Sequence, residues 1–277
     1  MGLMPSDAPL GGERKLMARE LLDTHYRSDW EISRALDFAA FNCGYCLRPE
    51  DSFRQNQQNL VWRLLEGAPI DASTLLCDIG CGIGGPAGWV CERFEPRLVV
   101  GVEFSNLNVA NARALWADQP QRPRFVQGNA QVLPLASGSV DVVMNLESAL
   151  HYPDKAAFLR ECRRVLKPGG RLCLGDIVRT RVLPFNLLAR VTTGNVFLYS
   201  LSEYQRGLRE AGFEIVRHEN AAPAVARSIE RGLWEWKARG IRATGDVAQR
   251  VSFLRMLGTL LRWGWLRYDL FAARPLA

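Results

Sequence analysis

The run Leu75-Leu76-Cys77-Asp78-Ile79-Gly80-Cys81-Gly82-Ile83-Gly84-Gly85 constrains this chain more than any other stretch. Three apolar residues lead into an acid, and the acid leads into a glycine-rich turn. That pattern predicts a buried strand ending in a loop whose backbone a ligand can approach closely, because glycine carries no Cβ and accepts positive φ. Asp78 stands two residues before the first glycine. A carboxylate there repels a diphosphate and attracts an ammonium or a backbone amine. The loop therefore suits a cationic or zwitterionic ligand better than the phosphates of a nucleotide. Gly80, Gly82 and Gly85 also satisfy G-x-G-x-x-G. Alone, that short pattern often marks only a tight strand-to-helix connection.

The next apolar run, Leu98-Val99-Val100-Gly101-Val102, ends in Glu103. A carboxylate at the end of a second strand can accept both hydroxyls of a ribose. NAD sites and S-adenosylmethionine (SAM) sites share this feature, so it does not separate them. Asp78 and the segments downstream do.

Asp78-Ile79-Gly80-Cys81-Gly82-Ile83-Gly84 resembles the first motif of class I SAM-dependent methyltransferases. Glu103 fits their ribose-binding acid. Gly128-Asn129-Ala130 resembles the adenine-contacting G-D-A turn, with Asn in place of the usual Asp, and Leu133-Pro134 fits the segment after it. Leu166-Lys167-Pro168-Gly169-Gly170 resembles the L-K-P-G-G turn before the fifth strand. Five matches in register are far more specific than any one of them. The resemblance covers roughly residues 40 to 220 and belongs to the branch acting on natural products, quinones and sterol or isoprenoid compounds. It implies that Tyr45, Asp78, Gly80, Gly82, Glu103, Phe104, Asn129, Ala130 and Asn145 hold SAM, with S-adenosyl-L-homocysteine as product. Asn129 can still accept through its carbonyl oxygen.

The alternation of strand and helix signals predicts an α/β fold with a mostly parallel, doubly wound sheet. Strands are expected at Leu75–Ile79, Leu98–Glu103, Arg124–Gly128, Val140–Asn145, Arg171–Ile177, Phe213–Glu219 and Leu266–Ala272. By resemblance the sheet is Rossmann-like, with seven strands in the order 3-2-1-4-5-7-6 and the last antiparallel. Asp51 or Ser52 is expected to cap a helix running to Glu66. Residues 1–70 read as an N-terminal helical lid and 71–277 as the SAM-binding core. Two inserts, at about 179–200 and 221–264, are apolar and aromatic-rich. They and the N-terminal helices are positioned to roof the crevice beyond the strand ends. Phe41-Asn42-Cys43-Gly44-Tyr45-Cys46 resembles the segment ahead of the core in some small-molecule methyltransferases.

With 48% hydrophobic and 23% charged residues the composition is that of a globular protein. The net charge of +6 arises from 35 basic and 29 acidic residues without a basic block, which argues against nucleic acid as a partner. No run reaches 18 apolar residues, so no membrane span is expected, and the first twenty residues lack the apolar segment of a signal peptide. Seven cysteines, several within apolar runs, suit a reducing compartment, and a cytoplasmic location is expected. Cys43-x-x-Cys46 has no second pair nearby, so no metal is expected. The expected partner is a small molecule; oligomeric state stays open, a homodimer among the options.

Methyl transfer from a sulfonium is an in-line displacement in which proximity supplies much of the rate. An acidic hydroxyl or carbon acid also needs a base. Asn145-Leu146-Glu147-Ser148-Ala149-Leu150-His151 ends the fourth strand and resembles the E-S-x-x-H segment that faces donor and acceptor in small-molecule methyltransferases. His151 is the expected base, since histidine ordinarily titrates near pH 6.5. Asp176, on the adjacent strand, is expected to orient it or to hold a substrate hydroxyl. Glu147 competes for the same role. The function expected is transfer of a methyl group from SAM to an O, N or C nucleophile of a small, fairly apolar secondary metabolite. The alternatives are a SAM-supported reaction such as cyclisation, a non-catalytic SAM-binding subunit, and an NAD-dependent oxidoreductase. Asp78 and the Lys-Pro-Gly-Gly segment speak against the last.

Overall fold

The computed structural model describes residues 40–119, 121–180, 196–240 and 245–276. Most of the expected lid before Ala40 and the middle of the first insert lie outside the described residues. Seven strands form one sheet: β1 (Leu75–Ile79), β2 (Leu98–Glu103), β3 (Arg124–Gln127), β4 (Val140–Leu146), β5 (Leu166–Arg179), β6 (Phe213–Asn220) and β7 (Leu266–Pro275). Their order is β3-β2-β1-β4-β5-β7-β6. β7 runs antiparallel to both β5 and β6. The doubly wound sheet is therefore the one the alternating sequence implied.

The central strands are apolar because helices cover both faces. Along β1 the faces alternate. Leu76 joins a core with α1 (Phe53–Leu64), α2 (Gly85–Phe94), α6 (Ala222–Ala238) and α7 (Gly245–Arg262). Cys77 and Ile79 join the opposite core with α4 (Lys155–Val165) and α5 (Leu201–Glu210). α3 (Asn106–Leu115) completes the helices described. Local chemistry sets their starts. Ser52 caps α1 and Ser200 caps α5, each in a reciprocal capping box with Gln55 or Glu203. Asp154 accepts from the Ala157 amide at the start of α4, whose Phe158, Leu159, Cys162 and Val165 form the buried stripe.

β5 departs from expectation. The Lys167–Gly170 turn does not precede the strand but is a jog inside it: Val140 pairs with Leu166, and Val142 with Arg171. Lys167 gives the jog a purpose. Its ammonium lies 2.8 Å from both oxygens of Asp141, and Asp141 also accepts the Leu75 amide at 2.8 Å. The turn thus clamps the entry to β1. The second insert folds as α6 and α7, packed on each other. All seven cysteines are free and buried. Among the described residues no helix is long and apolar enough to cross a membrane.

Candidate active site

β1 and β2 end side by side, and each contributes a carboxylate. Asp78 is 1% exposed, and its Oδ2 has no hydrogen-bond partner. Burial, with the nearby Glu103 charge, pushes the Asp78 carboxyl up to about 8. Glu103 has firm partners: Oε2 accepts the Gly82 amide and Oε1 the Ser105 amide, each at 2.9 Å. The turn between them requires its glycines. Gly80 has φ 71°, and a Cβ there would lie 2.3 Å from Ser148 Oγ. Gly82 has φ 55° and faces the Phe41 ring.

Beyond β3 the chain turns back toward this pair. The Gly128 amide donates to the Glu103 carbonyl at 2.9 Å. Asn129 is exposed, and its Oδ1 accepts the Gln131 amide at 2.9 Å. That bond closes the turn as an Asp would, so the substitution leaves the turn intact. Ala130 is buried, and Phe104 is half-buried.

The end of β4 is more heavily built than the sequence suggested. The Asn145 amide group donates to the Ile79 carbonyl at 2.8 Å and to Ser148 Oγ at 2.6 Å. Ser148 in turn lies 2.9 Å from the Tyr152 hydroxyl. These three side chains staple the last carbonyl of β1 to the turn after β4. Ser148 and Tyr152 were not expected, although both lie in or beside the E-S-x-x-H segment.

Glu147 follows with φ 52°, a conformation rare outside glycine. Its Oε1 accepts the Cys43 amide and the Tyr268 hydroxyl, both at 2.8 Å. Burial pushes its carboxyl up, while those two bonds, the Cys43 side chain and the Arg250 charge hold it down. His151 is exposed at the end of the one-turn helix Ala149–His151.

Two expected roles meet a different geometry. The Tyr45 hydroxyl donates to Glu219 at 3.0 Å. Glu219 is on β6, four strands from β1, or ~19 Å across the sheet. The Cys43 peptide, not the Tyr45 ring, therefore reaches the β4 end. The reason is local: Tyr45 is anchored through its own amide to the Asn56 carbonyl of α1. Asp176 also has another partner. It is fully buried, and its Oδ2 accepts the Tyr204 hydroxyl of α5. β5 runs three residues past it, so it lies inside the strand rather than at its tip. Burial pushes Asp176 up to about 6, against the opposing pull of Lys155 and Tyr204.

The Phe41–Cys46 segment is pinned as a roof. Gln57 donates to the Ala40 and Asn42 carbonyls, each at 2.9 Å. The Cys46 amide meets the Ala224 carbonyl of α6 at 3.2 Å. Among the described residues no group of three or more His, Cys, Asp or Glu side chains could hold a metal ion.

Residues 77–174 match the family described as methyltransferase domain. The chain is 37% identical over 214 residues to the 27-O-demethylrifamycin SV methyltransferase of Amycolatopsis mediterranei, covering 72% of this chain and 78% of that one. The chain belongs to the class I SAM-dependent methyltransferases. The erythromycin 3''-O-methyltransferase of Saccharopolyspora erythraea is 34% identical over 142 residues, half of this methyltransferase and 46% of that relative. The crystal structure of the [4+2]-cyclase SpnF superposes with a TM-score of 0.79 at 22% identity, over 94% of this methyltransferase and 96% of that chain. That last likeness is one of fold. The unpartnered, buried Asp78 carboxylate suits the cationic methionine part of SAM, so the enzyme's own residues fit the cofactor its family uses.

Proposed function

We propose that this methyltransferase methylates a hydroxyl oxygen of a small, fairly apolar natural product. The observation that carries the proposal is the meeting, at the ends of neighbouring strands, of the orphaned Asp78 carboxylate with groups able to take a proton, Glu147 and His151. An acceptor hydroxyl must lose a proton during transfer, and a neutral amine need not do so before attack. Two relatives named for O-methylation support the same choice.

When bound, SAM supplies an electrophilic methyl group on a sulfonium. Asp78 would meet its ammonium, and the Glu103 carboxylate its ribose hydroxyls. Asn129, Ala130 and Phe104 would border the adenine, with Gly80, Gly82 and Asn145 shaping the floor. Tyr45 holds the roof through Glu219 rather than touching the cofactor. The Phe41–Cys46 roof, with α6 and α7 of the second insert, covers the core and excludes water. His151 takes the acceptor's proton as the oxygen attacks. Asp176 acts through its buried neighbours rather than by direct contact. Seven buried free thiols fit a reducing cytoplasm.

A second assignment of the base is favoured by one observation. The Cys43 amide and the Tyr268 hydroxyl both bond Oε1 of Glu147, which fixes its carboxylate at the end of β4, where an acceptor would meet it. Glu147 would then accept the proton in place of His151.

Incubation with methyl-labelled SAM and a panel of hydroxylated, amino and carbon-acid natural products, followed by mass spectrometry, tests the proposal. Label on a hydroxyl oxygen is expected. Label only on nitrogen or carbon, or a product isomerised without label, would refute O-methylation.

A further inference from the structure

Lys155 is the first residue of α4, yet it is 0% exposed. Both facts run against ordinary preference. A cation in the first helical turn opposes the helix dipole, and a lysine is almost never fully buried unless paired. Its ammonium donates to two backbone carbonyls, Tyr152 at 3.5 Å and Phe197 at shorter range. It also lies 4.8 Å over the Tyr199 ring. Asp176 and Glu203 supply the opposing charge; burial nevertheless pulls Lys155 down to about 8.

The two carbonyls come from distant parts of the chain. Tyr152 directly follows His151, at the acceptor end of β4. Phe197 belongs to the strap Phe197–Ser200, which leads from the first insert into α5. The strap is tied to the same turn a second time, by the Phe197 amide to the Leu150 carbonyl at 2.7 Å. On its other side Arg179 donates to the Leu198 carbonyl at 3.1 Å. Lys155 thus sits where three pieces meet: the His151 turn, the strap and the Asp176–Tyr204 pair.

We propose that Lys155 is a positioning residue that holds the Phe197–Ser200 strap against the His151 turn and so sets the wall of the acceptor site. The proposal rests on the acceptor meeting the enzyme at the β4 end. Lysine suits the task. Its ammonium donates to two carbonyls at once while the charges of Asp176 and Glu203 oppose its own, which no apolar side chain of that length can do. It also gives the buried Asp176 a role: its charge balances the cation that builds the wall.

Hydrogen exchange in Lys155→Met tests the tie without any acceptor. Exchange in peptides covering 149–153 and 196–200 should quicken by at least about tenfold. Peptides covering 78–85, and the affinity for S-adenosyl-L-homocysteine, should stay within about twofold, and Lys155→Arg should restore much of the protection. A lysine that only fills space would instead loosen the whole sheet evenly, and that outcome overturns the proposal. Should Lys155→Met not fold, nitrogen-15 lysine spectra of the wild-type protein decide. The Lys155 ammonium should exchange slowly with water, and rapid exchange overturns the tie. With 27-O-demethylrifamycin SV as probe acceptor, wild-type turnover makes a further arm. There Lys155→Met should lower kcat/KM by about 10- to 100-fold at unchanged SAM affinity, and an unchanged kcat/KM counts against the wall. No turnover of that probe by wild type counts against the acceptor class, and the exchange result still judges Lys155.

Discussion

Glu147 directly follows β4 and Tyr268 lies on β7, two strands separated by β5, yet the Tyr268 hydroxyl meets the Glu147 carboxylate at 2.8 Å. The phenol reaches over the intervening strand because Glu147 has a left-handed backbone, φ 52°, that turns its side chain along the sheet end. The same carboxylate oxygen receives the roof through the Cys43 amide. Roof, fourth strand and last strand therefore converge on one atom.

Removing one of those donors should show it. Tyr268→Phe keeps the ring packed and deletes the bond. A half-buried carboxylate that loses a donor costs about 1 kcal/mol or more, and the Glu147 carboxyl should rise further above its ordinary value. Denaturant unfolding reads the first effect. Exchange of the Cys43 amide, which should quicken, reads the second link to the roof. A variant as stable as wild type would mean the bond contributes nothing.

Asp78 should make the ligand-free protein sensitive to pH. Its folded-state pKa of about 8 lies above the usual value of 3.8. The native state then binds more protons than the unfolded chain between those values, so stability falls as pH rises from about 4 to about 8. A cationic ligand beside Asp78 favours the ionised form. SAM affinity should therefore increase with pH through the same window, and binding should release protons below pH 8. Calorimetry in buffers of different ionisation heat measures that release; none at pH 6 would contradict the Asp78 contact.

Glu103 should matter twice. Glu103→Ala removes the acceptor for the Gly82 and Ser105 amides and, on the proposed reading, the acceptor for the ribose. SAM affinity should fall by about 1–3 kcal/mol. Glu103→Gln keeps an oxygen for one amide and should lose less. Equal affinity in all three proteins, by calorimetry, would remove Glu103 from the cofactor site.

The two candidate bases can be separated. If His151 takes the proton, His151→Ala should lower kcat by about 10²–10⁴-fold with SAM affinity little changed. Glu147→Gln, which keeps the shape and the acceptor oxygen for Tyr268 and Cys43, should cost much less. The reverse order of effects would assign the proton to Glu147. Near-normal rates in both would leave catalysis to proximity alone.

Gly80 offers a steric test. Alanine there would have to keep φ 71° and would bring its Cβ to 2.3 Å from Ser148 Oγ. Strain of that kind costs about 1–3 kcal/mol, and the Asn145–Ser148–Tyr152 staple should break with it. A lower Tm and weaker SAM binding are expected together. A normal Tm would show that Ser148 yields freely.

Much of this enzyme follows from local sequence. Leu75–Ile79 and Leu98–Glu103 are strands at the expected bounds because buried parallel strands need unbroken apolar runs. Ser52 and Ser200 cap helices through neighbours three residues away. The positions of Asp78, Glu103 and Gly80 were legible because each stands at the end of a strand or in the turn that follows it. The partners of the β4 end were not legible. Cys43, Tyr268, Tyr204 and Lys155 come from four separate elements, and no spacing links them to Glu147 or Asp176. Tyr45 shows the limit from the other side. Its motif placed the segment, but the hydrogen bond from the Tyr45 amide to the Asn56 carbonyl and the Glu219 carboxylate decided where the ring points. The jog at Lys167–Gly170 likewise depends on Asp141 across the strand pair. Chain-local forces determine where strands, turns and caps begin. Which buried carboxylate meets which donor depends on packing the two helical layers onto the sheet, because burial leaves each polar group only the partners that tertiary neighbours supply.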